Sequence, residues 1–185
     1  MYKNAQELME VCELKGKRVW EIALDTEIKL TGMEKEKILE HFGKRLDIMT
    51  HSAKKALEHK QATKGGLIDG VANCQYEYSK TEGSVTGGYL NYVMALAYSS
   101  SEVNASMGKI CASPTAGSCG ILPAVLVGMM ENDNVPREKV IEALILASAI
   151  GAIYTRNATV AGADGGCQAE CGVASSMAAA AAPYM

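Results

Sequence analysis

The chain has 185 residues, a length that fits one globular domain. Hydrophobic residues make up 48% of the chain but aromatic residues only 5%. The core therefore has to be built from aliphatic and small side chains, and this favours closely packed helices over an aromatic-rich β-sandwich. The formal net charge is −3 and is spread evenly with no basic stripe, which excludes nucleic acid as an expected partner.

Nothing in the sequence indicates secretion or membrane insertion. The first residues are polar, and the longest apolar stretch, residues 140–154, contains Glu142 and is shorter than the roughly 20 residues of a membrane span. We therefore expect a cytoplasmic protein with no membrane partner, in which the six cysteines stay reduced and any functional one binds metal or takes part in catalysis. No CxxC pair is present, so zinc ribbons and thioredoxin-type chemistry are disfavoured.

The first third of the chain, residues 1–62, predicts amphipathic and solvated helices. Asn4 is typical of a helix N-cap, and Thr31 with Glu34 forms a predicted capping box. After that box, apolar residues recur with a rough helical period over residues 33–49. Charges of mixed sign on the other faces indicate a scaffold or a face that docks a partner.

Residues 63–185 hold most of the glycine and little of the charge. One layout occurs there three times: a short polar loop rich in glycine precedes an apolar helix. The loops are residues 83–88, 113–120 and 162–166, and the helices after them are predicted over residues 89–98, 121–130 and 167–182. A further helix over residues 136–154 is apolar on every side after its first turn and is predicted to be buried all round.

The predicted fold is all-α, because no stretch alternates with the period of a β-strand. We expect a compact helical domain in which helices of small residues are buried and the glycine-rich loops converge near them. Residues 1–62 and residues 63–185 are expected to share that single domain.

The three loops, each ending at a helix N-terminus, predict a pocket for a small anion. N–H groups without intrahelical partners point out of such an end, and the helix dipole favours negative charge there. Hydroxyl side chains line the loops, namely Ser84, Thr86, Ser113, Thr115 and Ser118. A carboxylate or a phosphate would fit equally, but no P-loop motif is present, so a P-loop NTPase is disfavoured.

Two polar residues outside these loops have alternative uses. Lys64, followed by Gly65 and Gly66, could reach an anionic substrate or could be a surface lysine at a turn. Asn157 follows the helix predicted over residues 136–154 and could cap that helix or bind a ligand.

Cys167 is the candidate metal ligand or nucleophile. It ends the loop of residues 162–166 and opens a helix, where N–H groups and the helix dipole favour its thiolate. Cys171 lies one turn later on the same face, so both could touch one metal, or Cys171 could be a small core residue. All three histidines lie in the N-terminal helices, which gives little support to a Ser-His or Cys-His hydrolase: His41, His51 and His59.

Two motifs in a fixed order point to a family. Residues 113–123 read SPTAGSCGILP, and after Asn157 residues 162–170 read GADGGCQAE. Together they resemble the α chain of the iron–sulfur-dependent L-serine dehydratases, and the likeness runs from about Lys64 to the last residue. The resemblance implies a catalytic iron–sulfur domain over residues 63–185, an oxygen-sensitive [4Fe–4S] cluster, and conversion of L-serine to pyruvate and ammonia without pyridoxal phosphate.

The resemblance also assigns residues by position. Cys167 matches the first cluster ligand. The substrate pocket is implied to contain Lys64, Gly65, Gly66, Ser113, Thr115, Gly117, Ser118 and Asn157. An iron held by only three cysteines keeps an open position, where it would act as a Lewis acid on the serine hydroxyl or carboxylate. No general base is assigned.

The chain departs from the family pattern in several places. Ser113, Ala116 and Asp164 stand where many members have Ala, Asn and Glu. Two further cluster cysteines of the family lie well downstream of Cys167, and Cys171 matches neither, which implies a catalytic domain truncated at its C-terminus and inactive alone. The Ser-Ser-His-Thr segment of the family's β domain is missing, so we expect a separate β chain and a hetero-oligomer.

Two other interpretations stay open. The chain could belong to another iron–sulfur hydro-lyase that acts on a small hydroxy acid, which a panel of substrates would distinguish. It could also be a non-catalytic helical interaction module whose loops serve packing and whose cysteines sense oxidation. That module would bind no iron after anaerobic reconstitution.

Overall fold

The fold consists of α-helices joined by short loops. A computed structural model describes residues 2–185, and within them eight α-helices and no β-strand are found. The helices are α1 (Ala5–Lys15), α2 (Val19–Thr31), α3 (Lys35–Glu58), α4 (Val71–Ser79), α5 (Gly87–Ala105), α6 (Ile121–Asn132), α7 (Arg137–Asn157) and α8 (Gly162–Ala181), and a short 3-10 turn follows at Ala182–Tyr184. The prediction of an all-α fold is confirmed. In the described part of the chain, no helix has the length and apolar character that a membrane crossing requires.

The helical pattern predicted for the N-terminal part is confirmed in two places. Asn4 is the N-cap of α1, and its Oδ1 accepts a hydrogen bond of 2.8 Å from the N–H of Glu7. The apolar period that follows residue 33 forms one buried face of α3, made of Ile38, Phe42, Leu46 and Met49.

The capping box predicted at Thr31 and Glu34 is wrong. Gly32 takes a left-handed conformation with φ of 68°, and its N–H bonds to the carbonyl of Ile28, so α2 continues through Thr31 and ends there. The next helix begins only at Lys35, and the Glu34 side chain makes no capping hydrogen bond. The glycine, which ends one helix, thus prevents the threonine from starting the next.

One hydrophobic core draws on both parts of the chain. Its buried residues come from α2, α3, α6, α7 and α8. Leu46 of α3, Leu122 and Leu126 of α6 and Val140 of α7 are completely inaccessible to solvent. Burying a side chain of this size contributes about 1.5–3 kcal/mol. The N-terminal helices are therefore packed into the glycine-rich part of the chain.

The middle of α7 is buried among α2, α3, α6 and α8. The prediction that this helix is buried all round is wrong at its C-terminal end, where Ala152 and Tyr154 are exposed. The polar residues that follow, Thr155 to Asn157, carry the last turn beyond the core and into solvent.

Small residues allow α8 to lie close to α7, as the sequence predicts. The buried face of α8 consists of Val173, Ala174, Met177, Ala178 and Ala181. A Cβ atom added at Gly151 of α7 would lie 3.0 Å from Met177 Sδ, so the two helices meet where one of them has no side chain. This close packing fixes the position of the C-terminal half of α8.

The last turn of α5 holds two loops that the sequence assigns to the substrate pocket. The carbonyl of Ala105 accepts a hydrogen bond of 3.0 Å from the N–H of Lys64. Asn104 Nδ2 donates a hydrogen bond of 3.0 Å to the carbonyl of Ala116. Both loops are therefore attached to one turn of one helix.

Glu102, in the same turn of α5, is fully buried. Its Oε1 accepts a hydrogen bond of 2.6 Å from the N–H of Ala72, in the first turn of α4. Because the first N–H groups of a helix have no intrahelical partner, this carboxylate caps α4 from a neighbouring helix.

Candidate active site

The loop of residues 113–120 folds back on itself before α6. Ser118 Oγ donates a hydrogen bond of 3.3 Å to the carbonyl of Ser113 and lies 3.3 Å from Thr115 Oγ1. Ser113 and Ser118 are buried, whereas Thr115 is half-buried. Ser113 Oγ donates a hydrogen bond of 3.3 Å to the carbonyl of Cys111, so both serine hydroxyls bond within this part of the chain. The Thr115 hydroxyl is the one best placed to meet a ligand.

The same loop presents backbone donors. The N–H groups of Ala116, Gly117 and Ser118 have no hydrogen-bond partner within residues 2–185. Successive N–H groups in a turn form a concave site for an anion. The anion site stays a prediction, and the donors available for it in this loop are backbone N–H groups more than hydroxyls.

Gly120 sets how closely this loop approaches α5. A Cβ atom at this position would lie 2.5 Å from the carbonyl oxygen of Ala97, which is too close for any contact with backbone. Together with the hydrogen bond from Asn104 to Ala116, this contact holds the middle and the end of the loop against α5.

The loop of residues 162–166 forms one helical turn followed by a break. Gly166 has φ of 73° and ψ of 177°, a conformation open to glycine and strained for other residues, and the regular helix resumes at Cys167. Cys167 therefore lies in the first turn of the long part of α8, as the sequence predicts. Gly165 packs tightly before the break, since a Cβ there would lie 2.7 Å from Ala169 Cβ.

Cys167 is exposed, and its sulfur lies 3.6 Å from that of Cys171, which is half-buried. The hydrogen bond with Cys167, followed by burial, raises the pKa of the Cys171 thiol. The two sulfurs therefore form one pair at the start of the long part of α8.

The described residues supply only part of a ligand set for an iron–sulfur cluster. Within residues 2–185 no group of three or more His, Cys, Asp or Glu side chains is arranged to hold a metal ion. Cys167 can offer one thiolate, and Cys171 could offer a second. A cluster therefore fits here only if further ligands come from outside the described residues.

Glu170, which is not among the site residues predicted from the sequence, joins the two motifs. Thr115 Oγ1 donates a hydrogen bond of 2.7 Å to Glu170 Oε1. A Cβ at Gly117 would lie 3.0 Å from Glu170 Oε2, and one at Gly162 would lie 2.6 Å from the same atom. The carboxylate thus lies between both glycine-rich loops. One sequence signal could have found it: Glu170 follows Cys167 by three positions, which places both on one helix face.

Lys64 is attached to α5 through its backbone, and its side chain is exposed, with no ion pair in the described part of the chain. The neighbouring Gly65 and Gly66 are also exposed. Asp69 closes the turn by accepting hydrogen bonds from the hydroxyl and the N–H of Thr63, and these bonds lower the pKa of Asp69. The structure thus places Lys64 and the loop of residues 113–120 at the same end of α5.

Asn157 makes two hydrogen bonds that hold the chain together. Its Nδ2 donates to the carbonyl of Lys3 over 2.7 Å and to the carbonyl of Ile153 over 2.8 Å. Within residues 2–185 no hydrogen bond links it to the loop of residues 113–120. Its role in substrate binding stays a prediction.

The third glycine-rich loop, residues 83–88, lies elsewhere. Asn91 Nδ2 holds it by donating to the carbonyls of Val85 and Gly87. This loop precedes the N-terminus of α5, whereas Lys64 is bound at the C-terminus of that helix, which is about 28 Å long at 1.5 Å per residue. Ser84 and Thr86 are therefore separated from the site that contains Glu170.

A cavity of about 350 Å³ lies beneath Ser113, between α2, α3 and α7. Its lining is mainly apolar, and its charged residues are Glu27 and Arg45. A small zwitterion fits an apolar cavity poorly because its charges would lose their hydration. The exposed loop backbone beside Glu170 is the better candidate for binding such a molecule.

Proteins similar to this chain carry serine dehydratase names. A family model described as the serine dehydratase alpha chain matches residues 14–185. The chain is similar to the L-serine dehydratase alpha chain of Peptoniphilus asaccharolyticus, with 45% identity over 181 residues, which is 98% of this chain and 62% of that protein. It is also similar to the L-serine dehydratase of Haemophilus influenzae, with 32% identity over 97% of this chain. The L-serine dehydratase of Helicobacter pylori is 30% identical over 96% of this chain. The match covers 40% of the length of each of these two relatives. The chain thus spans about three fifths of the length of the alpha-chain relative and two fifths of the other two.

Proposed function

Because the chain belongs to the serine dehydratase alpha chain family, we propose that it forms part of an enzyme that converts L-serine to pyruvate and ammonia. The observation that carries this proposal is the hydrogen bond of 2.7 Å from Thr115 Oγ1 to Glu170 Oε1. It joins the two sequence motifs into one site, with backbone donors on one side and a carboxylate and a thiol on the other. Such a site complements a small substrate that carries both a carboxylate and an ammonium group.

The charges of L-serine suggest how it would bind. We place its carboxylate at the free N–H groups of residues 116–118, where preorganised donors stabilise negative charge. Lys64 can add a positive charge from the same end of α5. Glu170 Oε2 accepts no hydrogen bond within residues 2–185, so it can accept one from the substrate ammonium group or take up a proton. Thr115 already donates its hydroxyl hydrogen to Glu170, which leaves its oxygen as an acceptor.

We further propose that Cys167 contributes one thiolate to a [4Fe–4S] cluster. Its exposure and its position in the first turn of a helix support this role. The remaining ligands would come from elsewhere in a longer protein, since the described residues contain no complete set. Such a cluster supplies a Lewis acid to the leaving hydroxyl when bound, so that pyridoxal phosphate is not required.

A second chain would complete the enzyme as a hetero-oligomer. The relative from Peptoniphilus asaccharolyticus is named as an alpha chain. The relative from Haemophilus influenzae carries no chain designation and is roughly one and a half times as long, judged from the share of each that the match covers. We infer that a separate β chain supplies that extra length here. We place the assembly in the cytoplasm, where thiolate ligands stay reduced.

The test is turnover by the complete enzyme. The full-length alpha chain and its β partner are prepared together without oxygen, loaded with iron and sulfide, and assayed for pyruvate formed from L-serine. We expect turnover, and we expect Cys167→Ser to abolish both the activity and the visible absorbance of the cluster. Cys74→Ser is the matched control, because Cys74 is an exposed cysteine of α4.

Three outcomes would contradict this proposal. A complex with a full complement of iron that forms no pyruvate from L-serine would refute serine deamination. Turnover of a small hydroxy acid in place of L-serine would assign the site to another hydro-lyase. Equal loss of absorbance in both cysteine variants would show that Cys167 is not a specific ligand.

A further inference from the structure

Cys167 and Cys171 face each other across the first turn of the long part of α8. Their sulfur atoms lie 3.6 Å apart, and no other two cysteine sulfurs are in contact within residues 2–185. Cys167 is exposed and Cys171 is half-buried, so a small oxidant can reach Cys167 directly. The pair therefore combines an accessible thiol with a second thiol next to it.

In a regular helix, the Cβ atoms of such a pair lie farther apart than a disulfide allows. Residues four apart on a helix face have Cβ atoms about 5–6 Å apart, whereas a disulfide needs them about 3.5–4.5 Å apart. Bond formation therefore has to tighten the first turn. That turn is exposed and follows Gly166, whose φ of 73° already interrupts the helical backbone, so a local rearrangement there leaves the packed part of α8 in place.

We propose that Cys167 and Cys171 form a redox modification site at which hydrogen peroxide closes a reversible disulfide. The Cys167 sulfur attacks one peroxide oxygen, the O–O bond breaks, and a sulfenic acid and one water form. The Cys171 sulfur then attacks the sulfenic sulfur, the S–S bond forms, the S–O bond breaks, and a second water leaves. The two thiols lose two electrons and two protons, and the peroxide takes up both.

Closure of this disulfide changes the candidate active site. Glu170 lies in the same turn, between the two cysteines in sequence, and its carboxylate holds Thr115. Tightening the turn displaces that carboxylate. Disulfide formation also removes the Cys167 thiolate as a metal ligand. That consequence rests on the proposed function, whereas formation of the disulfide does not depend on it.

The position of Glu170 makes the disulfide simple to detect. A chain that carries Cys74→Ser, and so lacks the most exposed competing thiol, is reduced, freed of metal and treated with hydrogen peroxide. Remaining thiols are blocked with iodoacetamide, and the unfolded chain is cleaved after glutamate. Cleavage after Glu170 separates Cys167 from Cys171 unless a disulfide joins them. We expect one joined species, about 2 Da lighter than the two free-thiol peptides together because two hydrogens are lost, and we expect dithiothreitol to separate it.

Two variants give the controls. In Cys171→Ser, Cys167 keeps its exposure but has no partner, so its oxidation should stop at a sulfenic acid that dimedone traps. Cys111→Ser should leave the joined species unchanged, because Cys111 is in contact with neither sulfur. The proposal fails if iodoacetamide still labels both cysteines after peroxide, or if Cys167 is joined to Cys111. The measurement needs neither iron nor L-serine, so it is independent of the proposed function.

Discussion

Thr115 Oγ1 and Glu170 Oε1 lie 2.7 Å apart although 55 positions separate the two residues in the sequence. The hydrogen bond connects a loop in front of α6 with the first turns of α8. Because the acceptor is a carboxylate, this bond is stronger than one between neutral groups. It is the direct side-chain link between the two motifs on which the proposed function rests.

This link should be measurable as a coupling free energy. We expect a double-mutant cycle of Thr115→Val and Glu170→Ala to give a coupling of about 1.5 kcal/mol in the free energy of unfolding, the value typical of a hydrogen bond to a charged group. Thr159 and Asp164 provide the matched control, since their side chains meet over 3.3 Å at an exposed site and should couple by less than about 0.5 kcal/mol. Equal coupling in the two cycles would contradict the role of the Thr115–Glu170 bond.

Gly162→Ala should impair the site more than it impairs the fold. The new Cβ would lie 2.6 Å from Glu170 Oε2, and the carboxylate can escape only by leaving Thr115. In the complete enzyme we expect kcat/KM for L-serine to fall at least tenfold, which is about 1.4 kcal/mol of transition-state stabilisation, while the free energy of unfolding falls by less than about 2 kcal/mol.

Gly172→Ala is the control for that substitution. A Cβ at Gly172 has no atom within 4 Å, and the residue is helical and exposed. The alanine should stabilise the chain by about 0.5–1 kcal/mol through helix propensity. A loss of stability in both variants would show that glycine is needed along α8 for a reason other than the Glu170 contact.

Asn157→Ala separates two uses of this side chain. It removes the hydrogen bonds to the carbonyls of Lys3 and Ile153, and we expect the free energy of unfolding to fall by about 1 kcal/mol. Asn132→Ala is the control, because Asn132 ends α6 and bonds only to its neighbour Asp133. An increased KM for L-serine in the complete enzyme would support the substrate role as well, through the amide oxygen. If the Asn157→Ala variant were as stable as the Asn132→Ala variant, the structural role of the Asn157 hydrogen bonds would be contradicted.

Cys119 should make the chain less stable in alkaline solution. Burial raises the pKa of its thiol from 9.0 to about 11. Between these two values the unfolded chain has lost the proton and the folded chain still holds it. Ionisation therefore favours unfolding, and the free energy of unfolding falls as the pH rises from 9 to 11. The slope due to one proton is at most about 1.4 kcal/mol per pH unit.

Denaturant titrations at several pH values check this expectation. Cys119→Ala should show a shallower decline than the native chain over the same pH range, whatever its stability at neutral pH. The comparison of slopes removes the contributions of Tyr2 and Tyr89, whose pKa values burial also raises and which are present in both chains. Identical slopes would show that the Cys119 thiol does not keep its proton in the folded state.

Much of the fold follows from the sequence, because helices of small and aliphatic residues carry local signals. Asn4 caps α1, and the apolar period of α3 becomes its buried face, since both depend on neighbouring positions alone. The capping box at Thr31 and Glu34 failed because two local signals competed there. The left-handed Gly32 ends α2 directly after Thr31, so Thr31 belongs to the last turn of α2 and does not start α3.

The site was predicted less completely, because its main contacts join distant positions. The sequence identified Thr115 and the start of the helix at Cys167, but not the carboxylate that bridges the two loops. The attachment of Lys64 to Ala105 uses backbone atoms alone, so no side chain could have indicated it. Such contacts depend on how α5 and α8 are each positioned by the helices around them, which a pattern along the chain does not contain.

The contacts made by the last turn of α5 also restrict where residues can be inserted into or deleted from the chain. One residue inserted in the middle of this helix, after Leu96, would rotate the last turn by about 100° relative to the first half and move it about 1.5 Å along the axis. Asn104 and Ala105 would then face away from Ala116 and Lys64 together. The exposed connection of residues 133–136 could absorb the same insertion, because surface loops tolerate added length. Insertions and deletions should therefore accumulate in the connections, while α5 keeps a constant number of residues.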